Sequence, residues 1–237
     1  MLRFFRNIRK TLMEQNKVRT YIFYAIGEIL LVVVGILIAL QVNNWNEERK
    51  FRNTERQILV QIRDGIIQDT TALNSSLYRF RNMRNQAVWI RRQFEQELPY
   101  TARMDTALAL ISIFSTPEAD YTPFEYLQSV GISVVQDKEL REMISKYYNT
   151  SKFLAETDTY FEMNKYYRQH IYPKYFRRYQ YGERVKVVDY DKLRESNEFS
   201  VALDMSLNDA SYYFYQTEGQ LERARAILNL ISAQGVE

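Results

Sequence analysis

The chain has no cysteine, one histidine, four prolines and seven glycines in 237 residues. Without cysteine there are no disulfides, no thiol nucleophile and no cysteine-based metal site, although the redox compartment stays undecided. A lone His170 cannot supply a two-histidine HExxH metal motif. Nothing around it resembles the sharp turn that presents a serine nucleophile, so it reads as a surface or interhelix histidine. The glycines form no GxGxxG and no phosphate loop. Asp/Glu pairs are so abundant that none stands out as an acid/base couple, which leaves carboxylate-only chemistry open and nothing else catalytic. No catalytic residue, metal ligand or cofactor is expected.

Charge is missing from one stretch. From Tyr21 to Val42 the only charged residue is Glu28. These twenty-two residues, at about 1.5 Å each, make a helix of about 33 Å, enough to cross a hydrocarbon core of about 30 Å. Fourteen of them are Ile, Leu, Val or Phe. At roughly −0.3 to −0.6 kcal/mol apiece they offset the roughly +3 kcal/mol of one carboxylate. The run ends in Ala39-Leu40-Gln41 followed by Asn43, Asn44 and Trp45, a poor signal-peptidase site, so the segment reads as an uncleaved anchor.

The flanks orient it. Ahead lie Arg3, Arg6, Arg9, Lys10, Lys17 and Arg19 against a lone Glu14, while behind it Glu47 and Glu48 balance Arg49 and Lys50. The positive-inside rule places the N-terminus in the cytoplasm and the C-terminal part outside. Leu2, Phe5, Ile8 and Leu12 recur at helical spacing among the cations. Either a helix lying on anionic headgroups or a disordered basic tail fits that arm.

Glu28 then has two readings. Tyr24 and Trp45 are placed to form the two aromatic belts, which puts Glu28 one turn inside the cytoplasmic belt as a snorkelling carboxylate. Alternatively it faces another helix. Glu28, Gly35, Ala39 and Val42 fall on one face, and Gly35 with Ala39 is a small-xxx-small pair of the kind that lets helices approach. A homo-oligomer or a membrane-protein partner would use that face.

The stretches FFRNIRK and YAIGEILLVVVGILIALQVNNWNEERK resemble the start of a widespread bacterial family of small single-pass membrane proteins of unknown function. TPFEYLQSVGISVVQDKELREMISKYYN is similar to that family's second recurrent block. The resemblance covers the first fifty residues closely, residues 122 to 149 moderately and the rest loosely. It implies a membrane-anchored protein with a helical exterior domain, and it carries over no catalytic residues.

Beyond Val42 the chain holds 26 basic and 27 acidic residues, so the basic isoelectric point belongs to the arm. A near-neutral exterior argues against a nucleic-acid partner. From Asn46 to Leu98 no proline intervenes, and Leu59, Ile62, Ile66, Leu73, Phe80, Ala87, Ile90 and Phe94 mark one helical face, interrupted by Asp69 and Ser76. This predicts one long helix, bent near Gly65 or continuous with the span, with Arg79, Arg81, Arg84, Arg91 and Arg92 on its wet side. Asp105 predicts a cap for a short helix over Thr106–Phe114, and Thr122-Pro123 starts another that stops at Gly131. Asp137 caps a longer one running toward Pro173. Ile132–Val135 is too short for a sheet, Val185, Val187 and Val188 make a brief extended piece, and helix resumes after Asn197 or Asn208.

One segment, YYRQHIYPKYFRRYQYGER, interleaves tyrosines with cations. Tyr172, Tyr175, Arg177 and Arg178 are its candidate ligand or partner surface, because stacked rings beside cations bind glycans, nucleotides or peptides. A helix end whose rings pack inward fits equally. The expected organisation is a cytoplasmic arm (1–20), a transmembrane helix (21–45), a long helix (46–98) and the rest of a helical exterior domain (99–237). The expected fold is all-α with an antiparallel helical bundle outside. The expected function is a membrane-anchored, non-enzymatic interaction or scaffolding protein; the alternative is a ligand-sensing module that signals through a partner.

Overall fold

A computed structural model describes residues 18–113, 117, 119–156 and 159–236. The basic arm, residues 1–17, lies outside them. The chain is all-α but for one hairpin. Helix α1 (Val18–Glu95) is followed by α2 (Ala102–Leu110), α3 (Thr122–Val130), a 3-10 turn at Ile132–Val134 and α4 (Lys138–Glu156). Then come α5 (Thr159–Tyr166), a π-helical turn (Tyr167–Ile171), α6 (Tyr172–Tyr175), strands β1 (Phe176–Gln180) and β2 (Arg184–Val187), α7 (Tyr190–Arg194) and α8 (Asn197–Ala233).

Two units meet at Thr54, residues 1–54 and 55–237. In the first, the apolar part of α1 has none of its side chains buried. It is long and apolar enough to cross a membrane. Ion pairs return just beyond it, from Lys50 to Glu47 at 2.9 Å and from Arg52 to Glu48 at 3.8 Å.

The second unit is built on two apolar clusters. One gathers Ile58, Leu59, Ile62, Ile66 and Leu73 of α1 with Leu140, Ile144 and Tyr147 of α4 and Leu221, Ala224, Ile227 and Ile231 of α8. The other joins Phe80, Met83, Ala87 and Ile90 of α1 to α2, the hairpin and Phe199, Ala202, Leu203, Tyr213 and Phe214 of α8. So α1 and α8 pass the two clusters in opposite order. Burial of each large apolar side chain contributes about 1.5–3 kcal/mol.

Between the clusters runs a polar seam. Ser76 of α1, Ser151 of α4, and Thr217 and Gln220 of α8 are all buried, and so is Asp69. Gln220 Nε2 donates to the Tyr147 carbonyl at 2.9 Å and to Ser151 Oγ at 2.7 Å, while its own oxygen accepts from Arg223. The Tyr147 hydroxyl donates to Asp69 Oδ2 at 2.8 Å, and the Asp120 backbone N–H donates to Asp69 Oδ1 at 3.1 Å. Asp69, one of the two residues that broke the apolar stripe of α1, therefore bonds across to other segments, while Ser76 accepts from Arg79 of its own helix at 2.9 Å.

Local signals set the element ends. At the end of α1, Leu98 N–H bonds the Gln93 carbonyl and Glu97 N–H bonds that of Phe94, a Schellman closure with Glu97 at φ 48° and Pro99 behind it. Helix α1 runs through Gly65, whose missing side chain leaves room for Pro123, 3.3 Å from where a Cβ would stand. Asp137 accepts from Leu140 N–H at 3.0 Å and caps α4. Helix α3 stops at Gly131, φ 106°. Asp105 does not cap α2: the helix starts at Ala102 after Thr101, and the Asp105 carboxylate is taken by the Tyr100 hydroxyl.

Two measurements on the full chain follow. Tyr147→Phe deletes a hydroxyl without opening a cavity and leaves Asp69 short of a donor, so stability falls by about 1–3 kcal/mol; unchanged thermal unfolding would refute that bond. Burial on α8 pushes the Asp209 carboxyl up from 3.8 to about 6. A raised carboxyl pKa means the folded state binds the proton more tightly, so stability declines as pH rises from about 4 to about 6. Asp209→Asn flattens that decline and is the more stable form at pH 7, by on the order of 1 kcal/mol once screening of a half-exposed group is allowed for. Parallel pH profiles of the two proteins would disprove this.

Candidate functional site

The Tyr/Arg segment is a helix end only as far as Tyr175. It passes through the π-helical turn and α6 into an antiparallel hairpin, with Phe176 opposite Val187, Arg178 opposite Lys186, Tyr179 opposite Val185 and Gln180 opposite Arg184. A bulge falls between Phe176 and Arg178. The turn is closed by Glu183 N–H on the Gln180 carbonyl, with Gly182 at φ 69°, a conformation that favours glycine. Side chains alternate across a strand, and directly opposed residues share a face. Phe176, Val185 and Val187 are buried on the inner face. The outer face therefore carries Arg178, Gln180, Arg184 and Lys186, all exposed.

Those four residues, with Tyr179, Val185 and Asp105 of α2, line an open groove of about 860 Å³. Arg184 Nε donates to Gln180 Oε1 at 2.7 Å. The Lys186 ammonium stands 5.5 Å from the centre of the Tyr100 ring, and the Tyr100 hydroxyl donates to Asp105. Burial, and then this carboxylate, push the Tyr100 hydroxyl well above the ordinary phenol range, so it stays a donor. The groove is thus a cationic, hydrogen-bonding surface suited to an anion.

The candidate residues read from the sequence divide between core and surface. Tyr172 stacks on Tyr179 with ring centres 4.2 Å apart and donates its hydroxyl to that of Tyr179 at 3.2 Å. Tyr175 is buried, edge-on to Phe199 at 5.9 Å, and its hydroxyl reaches Glu198 Oε2 at 3.0 Å and Ser196. The Lys174 ammonium, 2.5 Å from the same carboxylate, is the main reason Glu198 titrates below its usual range. Both tyrosines pack; Arg177 and Arg178 are exposed on β1. Of the four, the groove takes only Arg178.

In the first unit, a Cβ on Gly35 would meet nothing within 4 Å, and Ala39 is exposed. Glu28 is half-buried. None of the apolar window of this helix is buried.

Sequence reasoning missed Gln180, Arg184, Lys186 and Asp105 as groove residues. The signal was there: Arg184-Val185-Lys186-Val187 alternates polar and apolar with period two, directly after a glycine turn. The extended piece expected at Val185, Val187 and Val188 corresponds to β2, but its pairing with Phe176–Gln180 was not expected because that stretch read as helix or surface.

If these rings are packing, Tyr175→Ala costs about 3 kcal/mol of stability and Tyr172→Ala somewhat less. Arg177→Ala shifts it by less than about 0.5 kcal/mol. Denaturant titration of the three variants tests this, and an undisturbed Tyr175→Ala would make the ring a surface feature. No family model, curated protein or solved structure matches the chain.

Proposed function

We propose that the chain is a membrane-anchored, non-enzymatic interaction or scaffolding protein, with its N-terminal arm in the cytoplasm and its helical domain on the periplasmic side of the inner membrane. The observation that carries this is the first part of α1. Its Ile, Leu and Val side chains stand exposed all round the helix over more than twenty residues, with Glu28 as the only charge. A helix apolar on every side needs an apolar solvent, and the length matches a bilayer. The six cations ahead of it supply the orientation. The resemblance of residues 1–50 to a family of single-pass proteins agrees with the same reading.

The interaction role rests on what the chain offers to others. Gly35 and Ala39 leave a small-residue face open to a helix from a second copy or from another membrane protein. The near-neutral charge balance beyond Val42 argues against a nucleic-acid partner. The hairpin groove favours a second reading, in which the domain senses a ligand and a partner relays the signal.

Topology is tested by reporter fusions. A reporter after Glu237 is expected to behave as exported and one at Met1 as cytoplasmic. Protection of the C-terminal domain from protease added to spheroplasts would reverse the proposal. Gentle solubilisation then separates the two roles: a stoichiometric protein partner marks a scaffold, a retained small molecule a sensor.

A further inference from the structure

On a two-stranded hairpin, like charges placed directly opposite each other weaken the pairing. This hairpin sets Arg178 opposite Lys186 and adds Arg184 on the same face. Among the described residues none of the three forms an ion pair, although eleven such pairs occur elsewhere. A local rule broken without compensation inside the protein points to a compensating charge outside it.

The groove above these side chains defines what that charge is. At about 860 Å³ it admits a small molecule or a lipid headgroup rather than a single ion. Arginine forks match phosphate oxygens bidentately, lysine adds a point charge, and a spare N–H of the Gln180 amide remains to donate. Arg184 is held in place by its bond to Gln180, which leaves its terminal nitrogens for a ligand. Asp105 breaks the cationic lining. Its carboxylate repels a bare anion and accepts a hydroxyl, so it discriminates in favour of an anion that carries hydroxyls. We infer that the groove between the β1–β2 hairpin and Asp105 of α2, through Arg178, Arg184, Lys186 and Asp105, binds a hydroxyl-bearing phosphate ester. The group comes either from a free polyol phosphate or from a phosphatidylglycerol-type headgroup. The inference stands apart from the topology proposal, because the hairpin and groove lie wholly within residues 100–187.

The test uses the full chain in phosphatidylcholine nanodiscs. One arm titrates glycerol 3-phosphate by calorimetry; the other measures capture of phosphatidylglycerol vesicles against phosphatidylcholine vesicles. Saturable binding is expected in one arm, and the responding arm names the source. The Arg178→Gln, Arg184→Gln double variant loses at least about tenfold in affinity, the size expected for charge-assisted hydrogen bonds. Lys146→Gln, an equal charge loss per site on α4, changes nothing. Asp105→Asn keeps an acceptor for Tyr100 while removing a negative charge, so inorganic phosphate binds this variant more tightly than the parent. Absence of binding in both arms overturns the proposal, as does a loss in Lys146→Gln equal to that in the arginine variant. If circular dichroism shows the double variant unfolded, Asp105→Asn decides alone: phosphate affinity unchanged or lowered refutes the site.

Discussion

The buried carboxylate of Asp69 is the constraint on which the helical domain depends. Burial pushes its pKa up, and the Tyr147 hydroxyl and Asp120 N–H pull it back down. A carboxylate removed from water without those donors would cost several kcal/mol. Its two bonds therefore fix where α4 and the segment before α3 sit along α1. Gln220 does the same for α8, since its amide reaches the Tyr147 carbonyl and Ser151. Apolar contacts alone would tolerate sliding by a helical turn, because Ile, Leu and Val are interchangeable neighbours. The seam does not: a shift of one turn would leave Asp69, Ser151 and Gln220 all without partners.

The hairpin uses the same economy differently. Its inner face, Phe176, Val185 and Val187, closes the second apolar cluster with Tyr175 and Tyr167. An isolated two-stranded hairpin is marginal in water, so this inner face is what stabilises it. Once anchored, the outer face is free to carry residues that contribute nothing to folding. Three cations that form no ion pair among the described residues stand there, at a cost in pairing energy that the buried face covers. The hairpin thus divides packing and exposed charge between the two sides of one element.

The first part of α1 presents the reverse arrangement. Its apolar side chains are satisfied by nothing within the described chain, and the membrane-anchor proposal rests on that exposure. On this stretch Ala39 is exposed and a Cβ on Gly35 would meet nothing within 4 Å.

Much of this was legible in the sequence because it is local. The apolar run after Tyr21 with Glu28 as its only charge, Asp137 at the start of α4, Thr122-Pro123 and Gly131 around α3, and the return of helix at Asn197 are local signals, carried by a residue and its near neighbours. The all-α class follows from them. The core positions of α1 were equally readable, since helical periodicity reports burial directly. What the sequence could not assign were partners far along the chain. Asp69 and Tyr147 are 78 residues apart, and Gln220 and Tyr147 are 73 apart. Polar interruptions of an apolar stripe look like defects until the opposing helix supplies a hydrogen bond. Strand β2 was legible as an extended piece, but β1 was not, because its tyrosine suits a helix end as well as a strand and strand pairing becomes favourable only when the inner face has a core to close. Local propensity set the elements; buried polar complementarity between distant segments set their register, and only there did Arg178, Arg184 and Lys186 come together beside Asp105.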